Sequence, residues 1–145
     1  MKFNYLKFFL ILSFVMYMPF IVFSGCEDGD CENGYGTYIW RDGDTDSSSW
    51  IVGDKYIGSF KNGKMHGQGK HISTNGEIYI GSYLFGLRSG YGFLTYTDGS
   101  SYTGFFKNDL LHGKGIFIDK KGESKKALFS NNTVSYTHLT LPTTD

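Results

Sequence analysis

The sequence predicts an all-β fold: a single-layer antiparallel sheet of stacked 23-residue β-hairpins, preceded by an N-terminal signal helix. The first observation is a repeat. Tyr56, Gly58, Phe60, Gly67, Gly69 and Gly76 recur at Tyr79, Gly81, Tyr83, Gly90, Gly92 and Gly99, and again at Tyr102, Gly104, Phe106, Gly113, Gly115 and Gly122, each step being 23 residues. A fixed period of this length marks a repeat architecture. The second is alternation: Tyr56, Gly58 and Phe60 share one face of an extended run, and Gly67, Gly69 and His71 share one face of the next. The third is composition. The 145 residues include 20 Gly, 13 Phe and 11 Tyr but only 2 Pro, and the glycines have no three-residue period. That excludes collagen and argues against disorder.

In chain order, residues 1–24 form the first unit. Lys2 and Lys7 precede a charge-free stretch from Phe8 to Phe23, interrupted by Pro19 and followed by Ser24-Gly25-Cys26, the layout of an export signal or a retained membrane anchor. The stretch is short of the roughly 20 apolar residues of a spanning helix. Ser24 offers a cleavage point, and Phe23-Ser24-Gly25-Cys26 resembles a relaxed lipoprotein box of the spirochaete type, in which Cys26 carries the lipid.

Residues 25–54 form an acidic, cysteine-containing cap and partial first repeat, with eight acids against Arg41 alone and a net charge of −7 over residues 26–54. Gly34, Gly36 and Gly43 match Gly67, Gly69 and Gly76, after which an inserted loop, residues 44–53, breaks the register. Cys26 and Cys31 are a disulfide candidate in an exported chain. A disulfide and lipidation of Cys26 exclude each other, and both readings stay open at this stage.

Residues 55–132 hold the repeats, the last one truncated. Asn62-Gly63 lies between two alternating runs as a hairpin turn signal. Glycine inside a strand weakens it, so a regular glycine beside a regular aromatic predicts a ring lying across the bare backbone of its neighbour. One hairpin is unstable alone, and stacking makes a continuous sheet, with nine strands expected to span roughly 40 Å. Residues 133–145 shift abruptly to Thr and Leu. Val134 to Thr144 resemble the translation of a transposase adapter, so this segment is read as an adapter-derived artefact with the natural chain diverging after about Asn132.

The pattern Tyr-x-Gly-x-aromatic-x-x-Gly-x-x-x-Gly-x-Gly resembles the MORN repeat over residues 29–132. The opening Cys26, Gly29, Cys31, Asn33, Gly34, Gly36, Thr37 and Tyr38 is similar to that of exported bacterial MORN proteins. The resemblance implies a non-enzymatic scaffold. Some MORN proteins have been discussed as phospholipid binders, and MORN arrays also precede catalytic domains in lipid kinases and protein methyltransferases.

Candidate chemistry is sparse. His66 and His112 occupy one repeat position, with Ser89 as its third copy, and no nucleophile or acid partner recurs at a matching offset. Asp42, Asp44 and Asp46 alternate as hard-cation ligands do, but Ser47 and Gly53 stand where a complete calcium loop has Gly and a bidentate Glu. Eleven Lys or Arg against five acids give residues 55–132 a net charge of +6, the basis of an anionic-lipid reading. Lysines at turns and edges also deter edge pairing.

The sequence therefore predicts an exported scaffold of the cell envelope, periplasmic or membrane-associated, mediating protein contacts. Tyr56, Phe60, Tyr79, Tyr83, Tyr102 and Phe106 are the candidate binding surface, or equally the stabilising core. The expected partners are a protein, including a second copy of the chain, and a membrane reached through the N-terminal segment or a lipid on Cys26. No cofactor and no nucleic acid is implied. The alternatives are an anionic-lipid module, or the targeting arm of a larger enzyme.

Overall fold

The structure is a computed structural model that describes residues 25–44 and 51–136. The signal segment, residues 45–50 of the inserted loop and residues 137–145 lie outside the described residues. Ten strands follow one another in a single antiparallel sheet, each paired with its sequence neighbours. They are β1 (Cys26–Gly29), β2 (Tyr35–Ile39), β3 (Lys55–Lys61), β4 (Lys64–Ile72), β5 (Ile78–Leu84), β6 (Leu87–Thr95), β7 (Ser101–Lys107), β8 (Leu110–Ile118), β9 (Ser124–Ser130) and β10 (Thr133–Tyr136). The repeat unit is thus a seven-residue strand, a two-residue turn and a nine-residue strand.

The turns explain the pairing. Asn62 and Gly63 have φ of 50° and 68°, Phe85 and Gly86 49° and 93°, Asn108 and Asp109 49° and 66°, and Asn131 and Asn132 47° and 65°. Two consecutive positive φ values define the hairpin turn whose twist matches that of its strands. Each turn is also tied to the preceding hairpin: the N–H groups of Gly63, Gly86, Asp109 and Asn132 donate to the carbonyls of Glu32, Met65, Arg88 and Leu111 at 2.8–3.1 Å.

The Gly-x-Gly pair sits inside the second strand of each hairpin, and its two members differ in role. Gly67, at φ 72°, takes up a register shift, with Gly58 opposite Gly69 and Phe60 opposite Met65. That is a bulge, which needs a backbone most side chains avoid. The later glycine is needed for space: a methyl group built on Gly92 would stand 2.5 Å from the Tyr79 hydroxyl and 2.6 Å from its ring carbon Cε2.

Tyr56, Tyr79 and Tyr102, each at most 1% exposed, lie against the glycine pairs Gly58/Gly69, Gly81/Gly92 and Gly104/Gly115. Their hydroxyls donate to the carbonyls of Ser59, Ser82 and Phe105 at 3.0, 3.1 and 3.2 Å. Between units the rings meet edge to face in one continuous line, Phe60, Tyr56, Tyr83, Tyr79, Phe106, Tyr102 and Phe129, with centroids 5.0–5.3 Å apart. Each such contact adds about 0.5–1.5 kcal/mol beyond the burial itself. The core of this single-layer sheet is therefore a spine of rings along one face.

The sheet continues one strand further than expected. Thr133–Tyr136 pairs with β9 beyond the Asn131-Asn132 turn, with Val134 opposite Phe129. Ladder bonds are made by backbone groups, so a turn of this geometry returns whatever residues follow it onto the preceding strand. At the other end, Cys26 at the start of β1 is joined by a disulfide to Cys31 in the β1–β2 turn. A sulfur so engaged is not free to carry a lipid thioether.

Candidate functional site

The two faces of the sheet differ in what they present. All six residues considered as a binding surface lie in the spine, none more than 7% exposed: Tyr56, Phe60, Tyr79, Tyr83, Tyr102 and Phe106. Burial places them in the core, and the reading of their side chains as an exposed contact surface is corrected accordingly. Exposed rings occur instead on the outward face. Ile80 pairs with Phe93, Phe93 with Thr103 and Thr103 with Ile116, while Tyr91 pairs with Phe105, their rings 5.4 Å apart. Ile80, Tyr91, Phe93, Phe105 and Ile116 are 37–55% exposed. Lys70 lies opposite Ile80, Lys126 opposite Ile116 and Lys114 opposite Leu128, so cations border this apolar patch.

The spine face carries a cluster of charged groups. Asp54, 2% exposed, closes the end of the inserted loop. Its carboxylate accepts from the Thr74 N–H at 2.9 Å, the Ser73 and Thr74 hydroxyls at 3.0 and 3.1 Å and the Ile51 N–H at 3.2 Å, while His71 Nε2 stands 3.4 Å away. Burial alone would raise the Asp54 carboxyl, but these donors outweigh it and hold it below the ordinary value. Burial lowers His71, against the opposing pull of Asp54, and keeps the imidazole neutral.

One strand pair further on, Arg88 lies along the same face. Its Nε donates to Asp109 at 3.1 Å, and its Nη1 stands 3.5 Å from Glu77. The guanidinium carbon is 5.6 Å from the ring centroids of both Tyr79 and Phe106, a doubly aromatic cation site. Between these groups opens a cavity of about 240 Å³, walled by Asp54, His71, Glu77, Tyr83, Arg88 and Asp109.

Of the metal candidates, Asp44 accepts from the Arg41 N–H at 2.7 Å, Asp42 is exposed, and Asp46 lies outside the described residues. Among the described residues no group of three His, Cys, Asp or Glu side chains is arranged to hold a metal ion. The Nδ1 atoms of His66 and His112 are buried without hydrogen-bond partners among the described residues, and the His66 ring packs on Phe85 at 4.9 Å.

Comparison with known families gives a direct result: the MORN repeat profile matches residues 32–45, 56–78, 79–101 and 102–124, more than half of the chain. The chain belongs to the MORN-repeat family. No curated protein matches it. The boundaries of the second, third and fourth MORN matches fall at Tyr56, Tyr79 and Tyr102, the three rings that cover glycine pairs. The Asp54, His71 and Arg88 cluster was missed by sequence reasoning, although a signal existed. His71 stands where the next two MORN units have Leu94 and Phe117, and Arg88 where its neighbours have Met65 and Leu111.

Proposed function

We propose that this MORN-repeat chain is a non-enzymatic interaction scaffold, exported to the cell envelope and held near a membrane by its N-terminal segment, whose outward sheet face docks an acidic protein partner. One observation carries the reading. Tyr91, Phe93 and Phe105 stay 40–55% exposed on adjoining strands, although the fold buries Tyr56, Tyr79 and Tyr102 against glycine on the other face. Exposed aromatic surface of this kind, rimmed by lysines, is the composition of an interface core with a charged border. Export itself rests on the basic start and apolar run of residues 1–24.

The test is site-specific photocrosslinking in the producing cell. A photoreactive residue at position 93 or 105 should yield an adduct of one defined mass, absent when it is placed at the exposed turn residue Lys120. Replacing Tyr91 and Phe105 with Thr should abolish the adduct formed from position 93 and leave the melting temperature unchanged. Absence of any adduct from positions 93 and 105 overturns the reading.

A second reading, contact with an anionic bilayer, is favoured by one hairpin tip. Leu84, Phe85 and Leu87 are 42–51% exposed around the turn, flanked in adjoining turns by Lys61, Lys64 and Lys107. Apolar tips bordered by lysines suit a negatively charged membrane surface. Co-sedimentation with phosphatidylglycerol vesicles, but not with phosphatidylcholine vesicles, would support it.

A further inference from the structure

In a repeat array the sibling positions of each unit show what the fold alone requires, so departures that converge on one place need a separate cause. Three residues of the outward face depart together toward aromatic rings. Tyr91 stands where the flanking units have Gln68 and Lys114, Phe93 where the preceding unit has Lys70, and Phe105 where the two preceding units have Ser59 and Ser82. The units with Gln, Lys or Ser at these positions form the same hairpin strands, so the fold does not need the rings. All three sit on the paired strands β6 and β7, with Tyr91 directly opposite Phe105. A strand covered on one side alternates apolar with polar, whereas Tyr91, Phe93 and Leu94 make β6 apolar on both faces, the pattern of a strand covered twice.

Charge on this face changes sign from one end of the sheet to the other. No Asp or Glu occurs in β3–β9, and the far end presents the exposed Lys114 and Lys126. The near end is acidic. Asp28 lies opposite Thr37 on the outward side, Asp30 and Glu32 are exposed in the adjoining turn, and Tyr35 beside them is 65% exposed. A single chain therefore holds both halves of a complementary pair at its two ends, with apolar surface between them.

We propose that a second copy of this chain covers the outward face, in a symmetric dimer whose two sheets stack with reversed strand order; the inference rests on the docking reading above and names its partner. In that arrangement β5 of each copy crosses β6 of the other, and the acidic β1–β2 end of each lies over the β9–β10 end of the other, where Lys126 stands. Lys70 on β4 then lies over β7, where Phe105 offers a ring to the cation. Ile80, Tyr91, Phe93, Phe105, Ile116 and Leu128 are 37–55% exposed. Together such side chains offer roughly 600 Å² per copy, so that a pair covers roughly 1,200 Å², the size at which specific interfaces begin.

The test combines sedimentation equilibrium of the purified full chain with photocrosslinking from position 93 in a mixture of isotope-labelled and unlabelled copies. Adducts of mixed label that join position 93 to β5 of the other copy are expected. Tyr91→Gln with Phe105→Ser, which installs the residues of sibling units, should weaken the dimer at least about tenfold while the melting temperature is kept. Lys114→Glu with Lys126→Glu, and separately Asp28→Lys with Glu32→Lys, should each remove the dimer. Mixing these two variants should restore it, because acid then meets lysine at both ends. The inference is overturned by a monomer at every concentration, by an undiminished dimer in the aromatic variant, or by charge variants that do not recover on mixing. In the producing cell, an adduct from position 93 to a different protein overturns the dimer and keeps the docking reading, whereas absence of any adduct overturns both.

Discussion

The ring of Tyr79 lies against the backbone of Gly92 on the neighbouring strand, so close that a methyl group on the glycine would stand 2.6 Å from the ring carbon Cε2. The same relationship holds for Tyr56 with Gly69 and for Tyr102 with Gly115. Aromatic ring and bare backbone therefore form one packing unit, and neither half is free to vary alone. Gly92→Ala should destabilise the chain by about 1–3 kcal/mol through overpacking. Combined with Tyr79→Val it should cost less than the two single changes added together, with a coupling of about 0.5–3 kcal/mol, measurable by urea denaturation.

Alkaline pH should unfold the spine. Burial pushes Tyr79 and Tyr102 up to about 12 from an ordinary value of 10. A raised value in the folded chain means that this stability is fully present below pH 10 and is lost as pH rises toward 12. Far-ultraviolet circular dichroism should be steady up to pH 10 and decline across that window, together with tyrosinate absorbance near 295 nm.

Acid should act through the pair on the same face. Both Asp54 and His71 are lowered in the folded chain from ordinary values of 3.8 and 6.5. For each, the unfolded chain takes up the proton first, so stability falls as pH drops below 6.5 for His71 and again below 3.8 for Asp54. His71→Leu, the residue at sibling position 94, should remove the first decline. Asp54→Asn should cost about 1–3 kcal/mol at neutral pH by leaving donors of Ile51, Ser73 and Thr74 poorly paired, as read from melting curves.

The Phe85 turn should gain stability from its siblings' residue. Phe85 has φ 49°, where the equivalent Asn62, Asn108 and Asn131 have φ of 47–50°. Asparagine tolerates this region and phenylalanine does not. Phe85→Asn should raise stability by about 1 kcal/mol in urea denaturation, and under the bilayer reading it should also reduce vesicle binding.

The repeat register, the Asn62-Gly63 turn and the pairing of ring with glycine were legible because a 23-residue period repeats each signal. Which face is covered was not legible. Alternation groups Tyr56 with Phe60 but does not say whether that group or the Ile80, Phe93 and Phe105 group meets solvent, since a single-layer sheet offers no second layer as a reference. The rings themselves decide it by packing on one another. The Arg88 and His71 cluster was hidden for another reason: a search for shared residues passes over positions where one unit differs, and those differences build the cavity. The Cys26 and Cys31 pairing depended on the short β1–β2 turn, which spacing alone left open.

Each turn's N–H reaches back to the hairpin before it, from Gly86 to Met65, Asp109 to Arg88 and Asn132 to Leu111. Every unit therefore presents forward the kind of acceptor that it used behind, which gives the backbone of the array a direction. Adding or removing one whole unit preserves this backbone link and the strand register, whereas a gain or loss of a single residue would turn an entire strand inside out. Such an array behaves as a ruler graduated in steps of roughly 9.5 Å, two strand spacings, and the separation of whatever is held along it changes only by whole graduations.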